Sequence, residues 1–299
     1  MLKQITSEYH QVIFNLPWLV AQDEGLFAAE GIEVSFIKGG TQGPSFQPQT
    51  DPNAVDSNWN HVPFESGQTQ TYSACEWGQI RRSADSQAGG RIAMQRTTVV
   101  SQALFVRPGS PITDPHDLRN KTIAVNFHAG SHYLALQVLE GFMPRDEIKV
   151  IHYGVGRARL EALLDGSVDA AVLMEPYIAL AEKAGCQLVF EAFLNGSEIA
   201  APEIDQETFD ALNRALTEAV RRINADKGRY IHYLIDDVPA DLGPLAEADF
   251  RLERIRCVPP RPYPADAFDR TRNWMVSWGL LREDACFEDL VDNRVGALA

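Results

Sequence analysis

Apolar positions along this chain keep two rhythms that take turns. Short runs with a two-residue or continuous apolar pattern read as strands over 2–6, 31–40, 91–98, 101–108, 122–127, 147–153 and 186–193, with a short strand end at 71–75. Between them, the 3.6-residue rhythm predicts helices over 16–29, with Pro17 near the first turn, over 76–86, where Gly78 weakens the pattern, and over 131–142. Residues 157–185 read as helix, turn, short strand and helix. Residues 206–225 carry the strongest amphipathic pattern of all, and the remaining tail reads as mainly helical with a proline-rich break at 259–264. Residues 41–66 are polar and rich in Gly, Pro, Asn and Gln, a loop of a length that reads as functional or disordered.

Strands alternating with helices predict an α/β fold with mostly parallel sheets. Two β-rich blocks, about 1–98 and 100–193, each have the make-up of a small α/β lobe. A cleft between such lobes is a favoured ligand site.

Composition narrows the function more than the fold. The 299 residues are 45% apolar and 23% charged, ordinary for a globular chain, and carry a formal net charge of -14. A surface that negative argues against nucleic acid and anionic lipid, but leaves room for a small anion in a locally positive pocket. Cys75, Cys186, Cys257 and Cys286 are scattered, with no zinc-like spacing, which fits a reducing compartment. The first residues show no signal-peptide pattern and no apolar span, so the expectation is a cytoplasmic protein without membrane insertion, or a periplasmic or extracellular one whose signal was removed.

The chemistry-bearing residues cluster near predicted strand ends. In "VNFHAGSHYLALQVLEG" (125–141), a turn containing His128, Ala129, Gly130, Ser131 and His132 leads into a helix, a place where backbone N–H groups and the helix dipole suit an anion. Ser131 also reads as a plain helix N-cap. In "SACEWGQIRR" (73–82), Cys75 stands at a helix start, where a thiol's pKa is lowered, so it reads either as a nucleophile or as a small buried filler. His61, His128 and His132 are candidate acid–base groups. No metal site is expected, because His128 precedes the helix and the His128–His132 pair has no evident acidic partner. Trp18, Trp59, Trp77 and Tyr177 read as stacking surfaces for a planar ligand or as packing, and Arg96 as an anion partner or a surface residue at the crossover between lobes.

Four stretches together resemble the type II periplasmic-binding-fold superfamily: "LVAQDEGLFAAEGIEVSFIKGG", "ALFVRPGSPITDPHDLRNKTIAVNFHAGSHYLALQVLE", "ARLEALLDGSVDAAVLMEPYIALAEKAG" and "TRNWMVSWGLL…FEDLVDNRV". The superfamily holds sulfonate- and nitrate-type transporter receptors, thiamine-pyrimidine synthase and an aromatic sulfinate desulfinase. The resemblance covers most of the chain apart from 41–66 and about 226–262. It implies a two-lobed fold, lobe one from 1–98 plus 195–299 and lobe two from 99–194. It also implies a ligand between them near Asn15–Trp18, Gly39–Thr41 (Gly40 and Thr41 included), Ala74–Trp77 (with Glu76), Gly130–His132 and the Glu175–Tyr177 turn. In the superfamily the turn matched by Ala129–Ser131 holds the ligand's anionic group. The desulfinase places a functional histidine near the position of His61, but its catalytic cysteine falls in a stretch that here reads "HQVIFNLPW" and has none. The cysteine-rich segment of the synthase is also missing.

Two functions fit. In the first, a cytoplasmic enzyme cleaves a small aromatic or heteroaromatic anion by desulfinase-like hydrolase or lyase chemistry, without a cofactor. Cys75 serves as nucleophile or acid, and His61 or His132 as base. In the second, the chain is the solute-binding protein of an ABC transporter for a sulfonate-, nitrate- or pyrimidine-like ligand, with an ABC permease as partner. The reading leans narrowly to the enzyme.

Overall fold

Alternation at the start of the chain, "KQITSEY", makes the first strand at once, and a computed structural model shows where it leads. The structure describes residues 2–39, 48–59 and 61–296. Eleven strands are formed among them: β1 (Lys3–Tyr9), β2 (Ile32–Lys38), β3 (Thr71–Cys75), β4 (Arg91–Gln95), β5 (Thr98–Val106), β6 (Thr122–Val125), β7 (Lys149–His152), β8 (Ala170–Leu173), β9 (Gln187–Leu194), β10 (Gly196–Ala200) and β11 (Ile255–Cys257).

They make two sheets, one per lobe. The first has the order β2-β1-β3-β10-β4, and the second β11-β5-β8-β6-β7, with β9 also paired to β5. Parallel pairing holds for β1 with β2 and β3, and for β6 with β7 and β8. The remaining pairs are antiparallel, so the sheets are more mixed than the alternating pattern predicts. The cause is the crossover between lobes. The chain leaves the first sheet through Arg96–Thr97 into β5 and returns through Asn195 into β10, and both crossing strands run against their neighbours.

Local sequence explains most elements. The helix Gln206–Ala225 buries Phe209, Leu212, Leu216, Val220 and Ile223 on one stripe, and Asp205 caps it by accepting the Thr208 N–H at 2.8 Å. The helix expected at 16–29 is two pieces, Val12–Asp23 and Leu26–Ala29, because Gly25 takes φ +70° between them. Two strands escape the sequence pattern. The five-residue β10 places Glu198 in the interior of a sheet, and β11 has only three residues. Residues 52–54 and 62–65 form single turns, and Gln49 exchanges backbone hydrogen bonds with His152, tying the long polar loop to the second sheet.

Candidate functional site

β1, β3, β6 and β8 all point their carboxyl ends at one crevice, the place where open α/β sheets bind ligands. It is lined from both halves: His10, Gln11, Phe14, Trp59, His61, Ser73, Ala74, Cys75 and Arg82 on one side, Asn126, Ala129, Gly130, Ser131, Val155, Gly156, Arg159 and Met174 on the other.

The second wall is built for negative charge. The helix Gly130–Leu139 opens directly on the crevice, with Ala129 rather than Ser131 as its cap. Ser131 Oγ instead reaches back to accept the Asn126 N–H at 2.8 Å. The Asn126 side chain lines the same space, and its buried oxygen, which has no partner among the described residues, calls for a hydrogen-bond donor rather than a negative charge. Arg159 is only 2% exposed; its Nε donates to the Val172 carbonyl at 2.8 Å and its Nη1 to the Gly154 carbonyl. Burial pushes this guanidinium down to about 10. Across the crevice Arg82, 1% exposed, donates to the carbonyls of Ser57 (2.9 Å) and His128 (3.0 Å). Among the described residues neither arginine has a carboxylate within ion-pair distance, which is uncommon for buried guanidinium groups.

The first wall carries the proton-active groups. Glu8 is fully buried at the end of β1. Its Oε1 lies 2.7 Å from His61 Nδ1 and in closer contact with His10 Nε2, and the two histidine nitrogens are 3.2 Å apart. Glu8 Oε2 accepts the Phe64 N–H at 3.3 Å. His61 stacks on Tyr72, with ring centroids 4.0 Å apart. Burial alone would raise the Glu8 carboxyl, but His61 and His10 outweigh it and hold it down to about 2. Burial pushes His61 down to about 3, against the pull of Glu8. At neutral pH the acid is therefore ionised and the His61 ring neutral, with Nδ1–H donated to the carboxylate.

Cys75 lines the crevice at the N-cap of the helix Glu76–Asp85, and its Sγ accepts the Gly78 N–H at 3.3 Å. Its ionisation runs opposite to the expectation. Burial pushes the thiol up, with Arg82 and the Gly78 N–H only partly offsetting it, so no resting thiolate is present at neutral pH. Gly78 has its own reason to be here. A Cβ would stand 2.6 Å from the Arg82 guanidinium, 2.9 Å from Cys75 Sγ and 3.0 Å from the His128 carbonyl.

The structure brings His61, Cys75, Trp59, Ala129, Gly130 and Ser131 together at the crevice. Other expected residues stand outside its lining, each with a different commitment. His132 is buried behind the turn, off the crevice lining, accepting the His128 N–H at Nδ1, and burial drives it well below the usual histidine range. His128 takes φ +60° and holds the Pro52 carbonyl at 2.8 Å, and burial lowers it to about 4. Asn15 is buried, and Trp18 packs on Phe27. Trp77 stacks on Tyr133, and Glu76 accepts from Tyr263 and Thr271. Arg96 is buried at the crossover, bonded to the Thr98 carbonyl and lying over Phe14, not at the surface. Glu175 accepts the Ala179 N–H and faces Arg254, while Tyr177 packs under Gly156, so this turn backs the wall rather than lining it. Gly40 and Thr41 lie outside the described residues.

Five crevice groups escaped the sequence. Arg159 shares its helix's buried stripe with Gly156, Leu160 and Leu163, and a charge on an apolar stripe was the available signal. Arg82, four residues from Gly78, gave the same signal. Glu8 and His10, two apart at a strand end, share a side of the strand, and only the fold brings His61 to them. Asn126 offered none.

No protein-family model and no curated protein sequence matches the chain. Solved structures do. The chain resembles the alkanesulfonate-binding protein SsuA from Xanthomonas axonopodis pv. citri bound to MOPS, with 16% identity, TM-score 0.74, and 97% of this chain and 98% of that one covered. It resembles the periplasmic aliphatic sulphonate binding protein SsuA from Escherichia coli, with 14% identity, TM-score 0.71, and 100% and 94% covered. It also resembles the desulfurization enzyme DSZB, with 15% identity, TM-score 0.65, and 97% and 96% covered. At such identities the likeness is one of fold.

Proposed function

We propose that this two-lobed type II periplasmic-binding fold holds a small organic anion in its crevice, with lobes divided near residues 98 and 194 as the sequence suggests, apart from β11, which joins the second sheet. The anionic head lies against the start of the Gly130–Leu139 helix and the Arg159 guanidinium. The aromatic faces of Phe14 and Trp59 suit the organic part. One observation carries the reading: two buried guanidinium groups stand at the crevice without a carboxylate. A buried cation lacking a counterion costs stability, and a bound anion removes that cost.

A receptor that delivers the anion to an ABC permease is the leading form of this function. Neighbours in fold include sulfonate-binding proteins, and the Cys75 thiol is not poised as a nucleophile. A specific arrangement favours a second form, an enzyme that cleaves the bound anion in hydrolase or lyase fashion. Glu8 orients His61 at the crevice wall in the manner of a carboxylate–histidine acid–base pair, on the same fold as a desulfurization enzyme.

Calorimetric titration with an alkanesulfonate, an aromatic sulfinate and an aromatic carboxylate tests the binding. Saturable uptake of one of them by the wild type, and its loss in Arg159→Met, is the expected result. Wild-type affinity in that variant would sink the reading. Mass analysis of the recovered ligand separates the two forms: unchanged compound supports a receptor, and cleaved compound supports an enzyme.

A further inference from the structure

We infer that Glu8, His10 and His61 form a binding site for a divalent first-row transition-metal ion, with its open positions facing the crevice. The three side chains offer one oxygen and two imidazole nitrogens, all within 4.8 Å of one another. Two histidines and one carboxylate are a donor set that suits zinc or iron(II) and leaves coordination positions for water or a ligand.

Geometry supports the ion over a simple hydrogen-bond cluster. Glu8 Oε1 contacts both His10 Nε2 and His61 Nδ1, and those nitrogens also face each other at 3.2 Å. With the carboxyl oxygen bare, no placement of hydrogens on the two rings makes all three contacts favourable. If both nitrogens carry hydrogen, two donors confront each other. If either is bare, its lone pair meets a carboxylate oxygen. A cation among the three resolves the conflict. Ligand atoms ~2.0–2.2 Å from one ion stand roughly 2.9–3.5 Å apart at tetrahedral to octahedral angles. The 3.2 Å separation lies in that range, the 2.7 Å one needs a few tenths of an ångström of opening, and the still closer Glu8 Oε1–His10 Nε2 contact needs the most.

The surroundings allow that opening and steady the ligands. Glu8 is anchored by the Phe64 N–H on its other oxygen, and His61 by its stacking on Tyr72. His10 is the movable partner, with 16% of its side chain exposed. Its ring lies directly on Gly39, where a Cβ would sit 1.7 Å from His10 Cε1 and 2.3 Å from Nε2. Gly39 does not have a positive φ, so the glycine is there for the ring and not for the backbone. His10 and His61 both line the crevice, so an ion held here faces the bound organic anion.

The test uses the full chain stripped with a chelator and titrated with zinc chloride by calorimetry, then with cobalt(II) by visible absorption. One equivalent should bind per chain, with cobalt giving the intense bands of a four- or five-coordinate nitrogen–oxygen site. His10→Ala should weaken zinc binding 100-fold or more. Gly39→Ala keeps all three ligands but displaces the ring, and should weaken it about tenfold. His232→Ala, at an exposed histidine, should bind as the wild type does. Both site variants should keep the wild-type circular dichroism and the metal-free melting temperature, and zinc should raise the melting temperature of the wild type but not of His10→Ala. Absence of one-equivalent binding in the wild type, or equal affinity in wild type and His10→Ala, would overturn the inference. Sulfonate binding by the stripped chain is read separately, so the anion crevice stands or falls on its own result.

Discussion

The two walls of the crevice solve opposite electrostatic problems. The β1 wall gathers a buried carboxylate held by two histidines and the Phe64 N–H, so its polar contacts are made inside the protein. The wall formed by the Gly130–Leu139 helix and Arg159 has helix amides and a guanidinium bonded only to carbonyls, so its balance must come from outside. The difference separates what a group does for folding from what it does for a ligand. A group satisfied within the chain is structural until something competes for it. A group left short of a counterion is a standing cost that a bound molecule can relieve.

The largest effect expected from that contrast is on the anion wall. Arg159→Met should weaken binding of the best anion by at least 100-fold, about 3 kcal/mol, while leaving denaturant stability unchanged or raised. Urea unfolding and calorimetry on one preparation check both halves. A variant that loses stability and keeps affinity would reverse the roles of the two walls.

Gly78→Ala comes next, because it crowds Arg82, Cys75 and the His128 carbonyl at once, joining both walls. A loss of about 1–3 kcal/mol is expected in urea unfolding, with anion affinity also reduced. An unchanged midpoint would show that the contact relaxes freely.

Glu175, one residue past the wall residue Met174, sharpens the contrast through pH. Burial raises its carboxyl to about 7, with Arg254 only partly offsetting it. Because the folded value lies above the unfolded one, the folded state binds the extra proton between about pH 4.5 and 7. The protonated group's contribution is complete below about 4.5 and is lost as pH rises through about 7. Glu175→Gln should therefore remove up to about 3 kcal/mol of stability decline over that window. Parallel stability–pH curves for wild type and variant would discard this account.

The smallest effect belongs to Cys75. Cys75→Ala should cost about 1 kcal/mol of stability and change anion affinity less than threefold, since its sulfur is occupied by the Gly78 N–H. A tenfold change in affinity would show the thiol in contact with the ligand.

Much of the frame was legible in the sequence. The alternation of strand and helix gave the α/β class, and the glycine–serine turn at 129–131 was found at the crevice because strand-to-helix turns sit at strand ends by construction. The aromatic and acidic candidates Trp18, Trp77, Glu76 and Glu175 shared that address along the chain, yet their side chains turn into the packing behind the wall. Sequence position near a strand end does not say which way a side chain points.

By itself, the sequence determined the rhythm of elements, the amphipathic faces that pack them, and the turn that aims helix amides at one place. These depend on neighbours three or four residues apart, and local spacing encodes them. Only the tertiary structure decided that Glu8 and His10 meet His61 from more than fifty positions away, that Arg82 and Arg159 are buried without an ion-pair partner among the described residues, and that the Cys75 thiol is raised rather than lowered. Those properties rest on distance through space and on exclusion of water, and neither is set until the two lobes have folded around the crevice.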